Sequence, residues 1–282
     1  MLPFARWLMR GTPQAVAAAA IAALVPWLFW LSAAIAALVT LRRGMSPALP
    51  VILAAALPAG WWWMQGDVIP LACVLLATLM AVVLRSRARW SEALIVGVLA
   101  SAVMVQLGVF VPPGGVGPLL EQLRQGSAEV DAMLRELANQ GIATEQLATL
   151  LVGGVTGVMV SLAAVGCLAL GRAWQAGLYN PGGFREEFHG LRLAPREFAI
   201  LLVLGIVGLV LLPGLAMLTW VPLLVAGIAL IHGIIGIKGM NGLWLVAFYV
   251  LLIATWPTIL IVLLLAVIDS FANFRERLAR SD

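Results

Sequence analysis

Uncharged apolar runs bounded by charge, glycine or proline divide the chain into stretches at approximately 14–41, 47–65, 68–84, 93–111, 148–171, 198–217, 219–237 and 242–268. About 20 apolar residues carry a helix across a hydrocarbon core of ~30 Å, and none of these runs alternates with the period of two that a lipid-facing barrel needs. The pattern predicts an all-α fold: a polytopic transmembrane helical bundle of about eight to ten membrane segments, forming a single integral membrane domain over 1–282. The first and last runs are the longest, and each carries a proline in mid-run, Pro26 and Pro257. At about 1.5 Å per residue either run exceeds the bilayer core by more than 10 Å. Proline removes a backbone donor and clashes with the preceding turn, so each run is expected to kink or break there.

Composition agrees with the membrane reading. Hydrophobic residues make up 63% of the chain and charged residues 11%, with a mean hydropathy of +1.05, against roughly 25% charged residues in soluble globular chains. The net charge is only +4 although the pI is 9.8, and the basic residues sit in short clusters between apolar runs. That distribution speaks to orientation in the membrane, and no nucleic-acid partner is expected. Cys73 and Cys167 fall inside apolar runs, where a thiol acts as a small hydrophobe, so neither a disulfide nor a metal site is expected. The basic, Ala-rich start resembles the opening of a secretory signal, but the apolar run continues past Pro26 to Leu41, so no cleaved leader is expected.

The seventeen Lys and Arg residues discriminate between two topologies. If every run crosses once, they divide almost evenly between the two sides. If both proline-broken runs go in and come back, Arg124 and Arg135 lie on one side and all the others on the opposite one. Basic residues in short loops are retained in the cytoplasm. The second topology is therefore expected, with both termini on the cytoplasmic side of a bacterial inner membrane and a reversal near Pro257. The limbs are short, so they are either full crossings of a thin membrane or half-helices packed against protein. A further reading starts the first helix near Phe4, with Arg6 and Arg10 snorkelling to the interface. Trp61, Trp62 and Trp63, beside Asp67 in a loop without basic residues, read as an aromatic belt at the outer surface.

Two hydrophilic inserts interrupt the apolar runs. Residues 112–146 carry an excess of acidic over basic residues, and their leucines recur at three-to-four spacing with a helix start at Ser127. They are expected to form two short amphipathic helices on the extracytoplasmic surface. Residues 172–198 are expected to form a cytoplasmic amphipathic loop: a turn at Asn180–Gly183, then a helix with Phe184, Phe188 and Leu191 on one stripe.

Ionisable or strongly polar groups inside apolar runs are few, and each is a default site hypothesis. His232 lies among glycines in GIALIHGIIGIKG, Gln106 lies within 93–111, and Thr156 and Ser161 lie in 148–171. Asp269 ends the last run and is spaced to pair with an arginine of the following FRER cluster. Gly153 and Gly157 form one GxxxG, a signal for helix packing within the chain or between chains. There is no HExxH, no Walker sequence and no carboxylate pair at mid-depth. No enzyme activity and no cofactor are expected, and proton-coupled exchange is disfavoured.

Three stretches, FREEFHGLRL (184–193), GIALIHGIIGIKG (227–239) and VIDSFANFRERL (267–278), together with VPWLFWLSAAIAALVTLRRG (25–44), resemble the YybS-like family of bacterial membrane proteins. The likeness covers most of the chain and is most specific at Asp269, Asn273, Phe274 and Arg275. The first half is also similar to the S components of energy-coupling-factor vitamin transporters. That resemblance implies a solute cavity reached from outside and a cytoplasmic face that docks a partner. The chain departs from S components, which usually have six helices and lack such a C-terminal extension, and it carries no recognised vitamin-binding motif. The favoured expectation is small-solute binding or transport, with His232 and Gln106 as candidate cavity groups. The alternative is a non-transporting scaffold or assembly factor that recruits a cytoplasmic or membrane protein partner. Its candidate docking residues are Arg185, His189, Arg192, Asp269, Arg275 and Arg277, with Arg280 in the same tail.

Overall fold

A computed structural model describes residues 1–111 and 114–279; Pro112, Pro113 and Arg280 lie outside the described residues. The described residues are overwhelmingly helical and contain no strand. In chain order the first helices are α1 (Leu2–Leu8), α2 (Thr12–Leu24), α3 (Phe29–Arg43), α4 (Met45–Met64), α5 (Ile69–Arg87) and α6 (Trp90–Gln106). The first hydrophilic insert supplies α7 (Gly117–Gly126) and α8 (Ala128–Asn139), followed by the long α9 (Thr144–Tyr179). The second half comprises α10 (Gly183–Gly190), α11 (Pro195–Val210), α12 (Pro213–Leu218), α13 (Trp220–Ile237), α14 (Leu243–Ala254), α15 (Trp256–Ala272) and α16 (Phe274–Ala279).

By length and hydropathy four helical segments can cross a membrane: α4, α5, α9 and Gly214–Ile237. Two bent pairs, α10 with α11 at 63° and α14 with α15 at 116°, raise the number to six if each is one span. Apolar side chains crowd the outside, with Leu57, Leu209 and Ile253 all more than 70% exposed, as lipid-facing helix surfaces require. The chain is a multi-pass membrane protein. Its shorter apolar helices, α2 and α6, have 13 and 17 residues.

Both long runs break at their prolines. The first separates at Val25, in extended backbone, into α2 and α3 with a 3-10 turn over Pro26–Leu28 between them. The last breaks at Thr255, also extended, two residues before Pro257. In each case the proline falls in the first turn of the following segment, where its missing N–H has no intrahelical partner to lose. The third break differs from the sequence reading. The run 198–217 is not one segment: α11 stops at Val210, and the chain reverses through Leu211 and Leu212 before Pro213. The residue before a proline is pushed out of helical backbone, and Leu212 sits at φ −140°, ψ 70°. The return segment therefore starts near residue 213 and not at 219. A Cβ at Gly208 would lie 2.4 Å from the Ala216 nitrogen, so glycine permits the tight α11–α12 contact. α1 is likewise a separate helix, ended before Gly11, docked on α9 through Phe4 and Trp174 with ring centroids 6.0 Å apart.

α3 forms the centre. Every residue from Ser32 to Leu41 is buried, and α2, α4, α5 and α9 surround it. α9 approaches α3 closely at Gly171, where a Cβ would stand 3.0 Å from the Ala34 carbonyl oxygen and the Leu38 nitrogen. The Gly153/Gly157 pair is used inside the chain, since a Cβ at Gly157 would meet Val105 at 3.0 Å.

A series of contacts gathers the basic clusters at one end of the bundle. Arg43 donates to the Thr12 hydroxyl at 3.2 Å and the Met9 carbonyl at 2.9 Å, joining the end of α3 to the start of α2. Arg85 donates to the Leu41 carbonyl, and the Arg42 guanidinium lies 4.0 Å from the centre of the Tyr179 ring. Arg172 pairs with Glu187, Arg89 lies 3.4 Å from Glu197, Arg192 donates to the Asp269 carbonyl of α15 and Arg275 to the Leu191 carbonyl beside Arg192. The opposite end carries the Trp62 indole, which donates to the Ala23 carbonyl at 3.1 Å, along with α7 and α8. Ser127 caps α8, its hydroxyl accepting from the Val130 N–H at 3.4 Å.

Candidate functional site

The basic end is assembled around α10. Asn180–Gly183 form a turn, closed by the Gly183 N–H donating to the Asn180 carbonyl at 3.0 Å, with Gly182 at φ +92°. α10 then lays its aromatic stripe on the bundle. Phe184 meets Trp90 at 6.1 Å between centroids, Phe188 meets His232 edge-on at 5.4 Å, and Leu191 is buried. Glu187 ties the helix to its neighbours: Arg172 grips its carboxylate with two donors and the Trp90 indole donates to it at 3.3 Å. Bidentate Arg–carboxylate geometry fixes orientation as well as adding energy.

The C-terminal end of α10 rests directly on α13, because α13 presents glycine there. A Cβ at Gly233 would come 2.8 Å from the His189 carbonyl oxygen and 3.0 Å from Arg275 Nε. One at Gly236 would come 2.7 Å from His189 Nδ1. His189 has its pKa lowered by partial burial and by the neighbouring Arg185 and Arg275.

Arg192 and Arg275 make a reciprocal clasp. Arg192 donates to the carbonyls of Asp269 at 2.9 Å and Ser270 at 2.7 Å at the C-terminal end of α15, where cations are favoured; the Asp269 carbonyl also accepts from the Asn273 N–H. Arg275 returns the contact by donating to the Leu191 carbonyl at 2.8 Å. Asp269, 3% exposed, accepts from the Phe274 N–H at 2.8 Å, which starts α16, and its second oxygen lies 3.7 Å from Arg275 Nη2. Arg275 Nε and Nη2 are buried without a hydrogen-bond partner. Burial lowers the Arg275 pKa, Asp269 opposing and Arg192 adding to the effect.

Of the candidate docking residues, Arg192, Asp269 and Arg275 are thus engaged inside the fold, while Arg185 and Arg277 are exposed and His189 is half-buried. A second anchor, Glu197, is absent from the sequence reading. It accepts from the Ser91 hydroxyl at 2.6 Å and from the Ala194 N–H at 2.7 Å, pinning the start of α6 to the start of α11. The Pro195–Glu197 spacing, with proline and an acid in a first turn, marks a helix start, but Ser91 is 106 residues away.

The two candidate cavity groups are not brought together. Gln106 is exposed at the last turn of α6, which packs against α12 at the end opposite the basic clusters. His232 lies twelve residues into α13, about 18 Å along it, and its Nε2 is 2.9 Å from the Tyr249 hydroxyl of α14. Tyr249 was not singled out from the sequence; a tyrosine in an apolar run needs a partner for its hydroxyl. Deeper in the bundle, Ser101 and Ser161 bond each other at 2.7 Å, and Ser161 also donates to the Gly157 carbonyl. The cavity beside them, lined by Leu76, Met80, Val98 and Val221, measures about 10 Å³, room for about one water molecule. Thr156 is half-buried on α9. Among the described residues no group of three or more His, Cys, Asp or Glu is arranged to hold a metal ion.

No protein-family model, no curated protein and no solved structure matches this chain.

Proposed function

We propose that the chain is a non-transporting membrane scaffold, related to the YybS-like proteins, which docks a protein partner at its basic end. It lies in the bacterial inner membrane with both termini and α10 on the cytoplasmic side. The orientation rests on the gathering of basic loops at one end, opposite an insert that carries an excess of acidic residues. The observation that carries the scaffold reading is the filled interior. Small-molecule sites occupy about 300–1,000 Å³, whereas the space between α5, α6, α9 and α13 amounts to about 10 Å³, and the hollows of about 540 and 550 Å³ open at the bundle surface, beside the starts of α6 and α11 and between α11, α12 and α13. His232 and Gln106, the groups a solute site would use, are far apart, and His232 is engaged with Tyr249.

The docking surface is α10 and the tail, where Arg185 and Arg277 stand exposed on a base made rigid by Arg192, Asp269 and Arg275. A photo-crosslinking residue placed in turn at Glu186 and Leu278 in the full-length membrane protein tests it. The expected result is a discrete protein adduct from both positions, lost when Arg185 and Arg277 are changed together to Glu, and absent when the crosslinker sits at Glu129 on the opposite face. Equal yields from Glu129, or an adduct indifferent to charge reversal, would remove the proposal.

A further inference from the structure

We infer that the cleft between the starts of α6 and α11 is a binding site for an anionic glycerophospholipid, with the headgroup phosphate on Arg87, Arg89 and Arg196 and an acyl chain along Ile95, Val96 and Ile200. The two helices are joined at one level, where Glu197 accepts from Ser91 at 2.6 Å, and they do not pack along their lengths. Between them lies an open cleft of about 540 Å³, lined by these six residues together with Glu92, Ala194 and Glu197.

Its rim is basic. Arg87 and Arg89 are exposed and lie 3.8 and 3.2 Å from Glu92, and Arg196 is exposed with no polar partner among the described residues. Glu197 is occupied by Ser91, by the Ala194 N–H and by Arg89, so the three guanidinium groups exceed the acidic charge facing them by one. Guanidinium groups bind phosphate oxygens with paired donors and shed water more readily than ammonium groups.

The wall is apolar and continues away from the rim. Leu99 and Val103 follow Ile95 at four and eight residues on α6, Val203 follows Ile200 on α11, and all three are exposed. Residues at that spacing share one helix face, so two apolar stripes run from the charged rim across the membrane-facing surface. A soluble phosphate compound would use the rim alone. A lipid uses rim and wall together, as basic pockets between transmembrane helices do for acidic headgroups. A zwitterionic lipid would place its own ammonium against three arginines.

The test uses the purified full-length chain in detergent micelles, which makes it independent of the orientation proposed above. Thermal unfolding is followed with added phosphatidylglycerol, phosphatidylcholine or inorganic phosphate. Phosphatidylglycerol is expected to raise Tm by several degrees and the other two by less than one degree. Arg87→Gln with Arg196→Gln should abolish that shift, and Arg124→Gln with Arg135→Gln at the far end should leave it intact. In parallel, a phosphatidylglycerol carrying a photoreactive acyl chain should label wild-type peptides containing Val96 or Ile200. An equal shift from phosphatidylcholine or from inorganic phosphate would overturn the proposal. Labelling spread evenly over the exposed helices would do so even if the arginine variants failed to fold.

Discussion

Asp269 has two tasks that one substitution can separate. Its Oδ1 starts α16 by accepting from Phe274, and its Oδ2 is the acid nearest the buried Arg275. Asp269→Ala removes both and leaves an arginine buried without a counter-charge, which is expected to cost about 3 kcal/mol. Asp269→Asn retains the acceptor for Phe274 and should cost about half as much; titrated denaturation in mixed micelles distinguishes the two. The clasp was legible in part, because an aspartate six residues before an arginine at the end of an apolar run suggests a pair. Its other half was not: Arg192 reaches backbone carbonyls 77 and 78 residues away, and carbonyls leave no mark in a sequence. Glu197 escaped because its partner Ser91 lies 106 residues away, and Tyr249 because only the turn between α13 and α14 brings it against His232. His189 gives a pH dependence with a definite sign. Its folded pKa lies below the ordinary 6.5, so as pH falls through about 6.5 the unfolded chain takes up the proton first and stability declines until the folded pKa is reached. Unfolding midpoints measured from pH 8 to pH 5 should fall on the acidic side, and His189→Gln should flatten that part of the profile.

Helices in this protein end where backbone chemistry ends them, and close packing depends on single missing Cβ atoms. α9 carries both cases needed for a controlled comparison. At Gly171 a Cβ would press at 3.0 Å on the backbone of α3, whereas at Gly166 nothing lies within 4 Å. Gly171→Val is expected to destabilise by about 1–3 kcal/mol through overpacking, with Gly166→Val unchanged or slightly stabilised, read from the same denaturation curves. The breaks near Pro26 and Pro257 could be anticipated because each apolar run was too long for one crossing. The break before Pro213 could not, because 198–217 had the length of an ordinary span and its proline fell near the end, where a terminus was already assigned. α9 shows the opposite effect: the apolar run covers only 148–171, yet the helix continues beyond it at both ends, through charged Glu145 and Arg172, to a total of 36 residues, since the end of an apolar run does not end a helix. The stripe of Phe184, Phe188 and Leu191 was legible as a stripe, whereas its burial against Trp90 and His232 required the fold.

Across the whole molecule, the proposed docking and lipid sites lie at the basic end and in the open cleft because the space between α5, α6, α9 and α13 is filled. α3 is buried along ten consecutive residues, and the serine pair Ser101–Ser161 satisfies itself and the Gly157 carbonyl without needing a solute. Overall class and the segregation of basic residues followed from composition and charge. The close-packed interior did not, since polar residues in apolar runs read the same whether they line a cavity or bond each other. Cys73 and Cys167 report on this point directly, being buried with their sulfurs 3.7 Å apart at the α5–α9 contact. Maleimides react with thiolate, which needs water around the sulfur. Both cysteines in the folded protein, in intact and in opened membrane vesicles, should remain unlabelled by a water-soluble maleimide over an hour and react fully after denaturation. Labelling of either within minutes in the native membrane would reveal an aqueous route through the bundle and contradict the scaffold account.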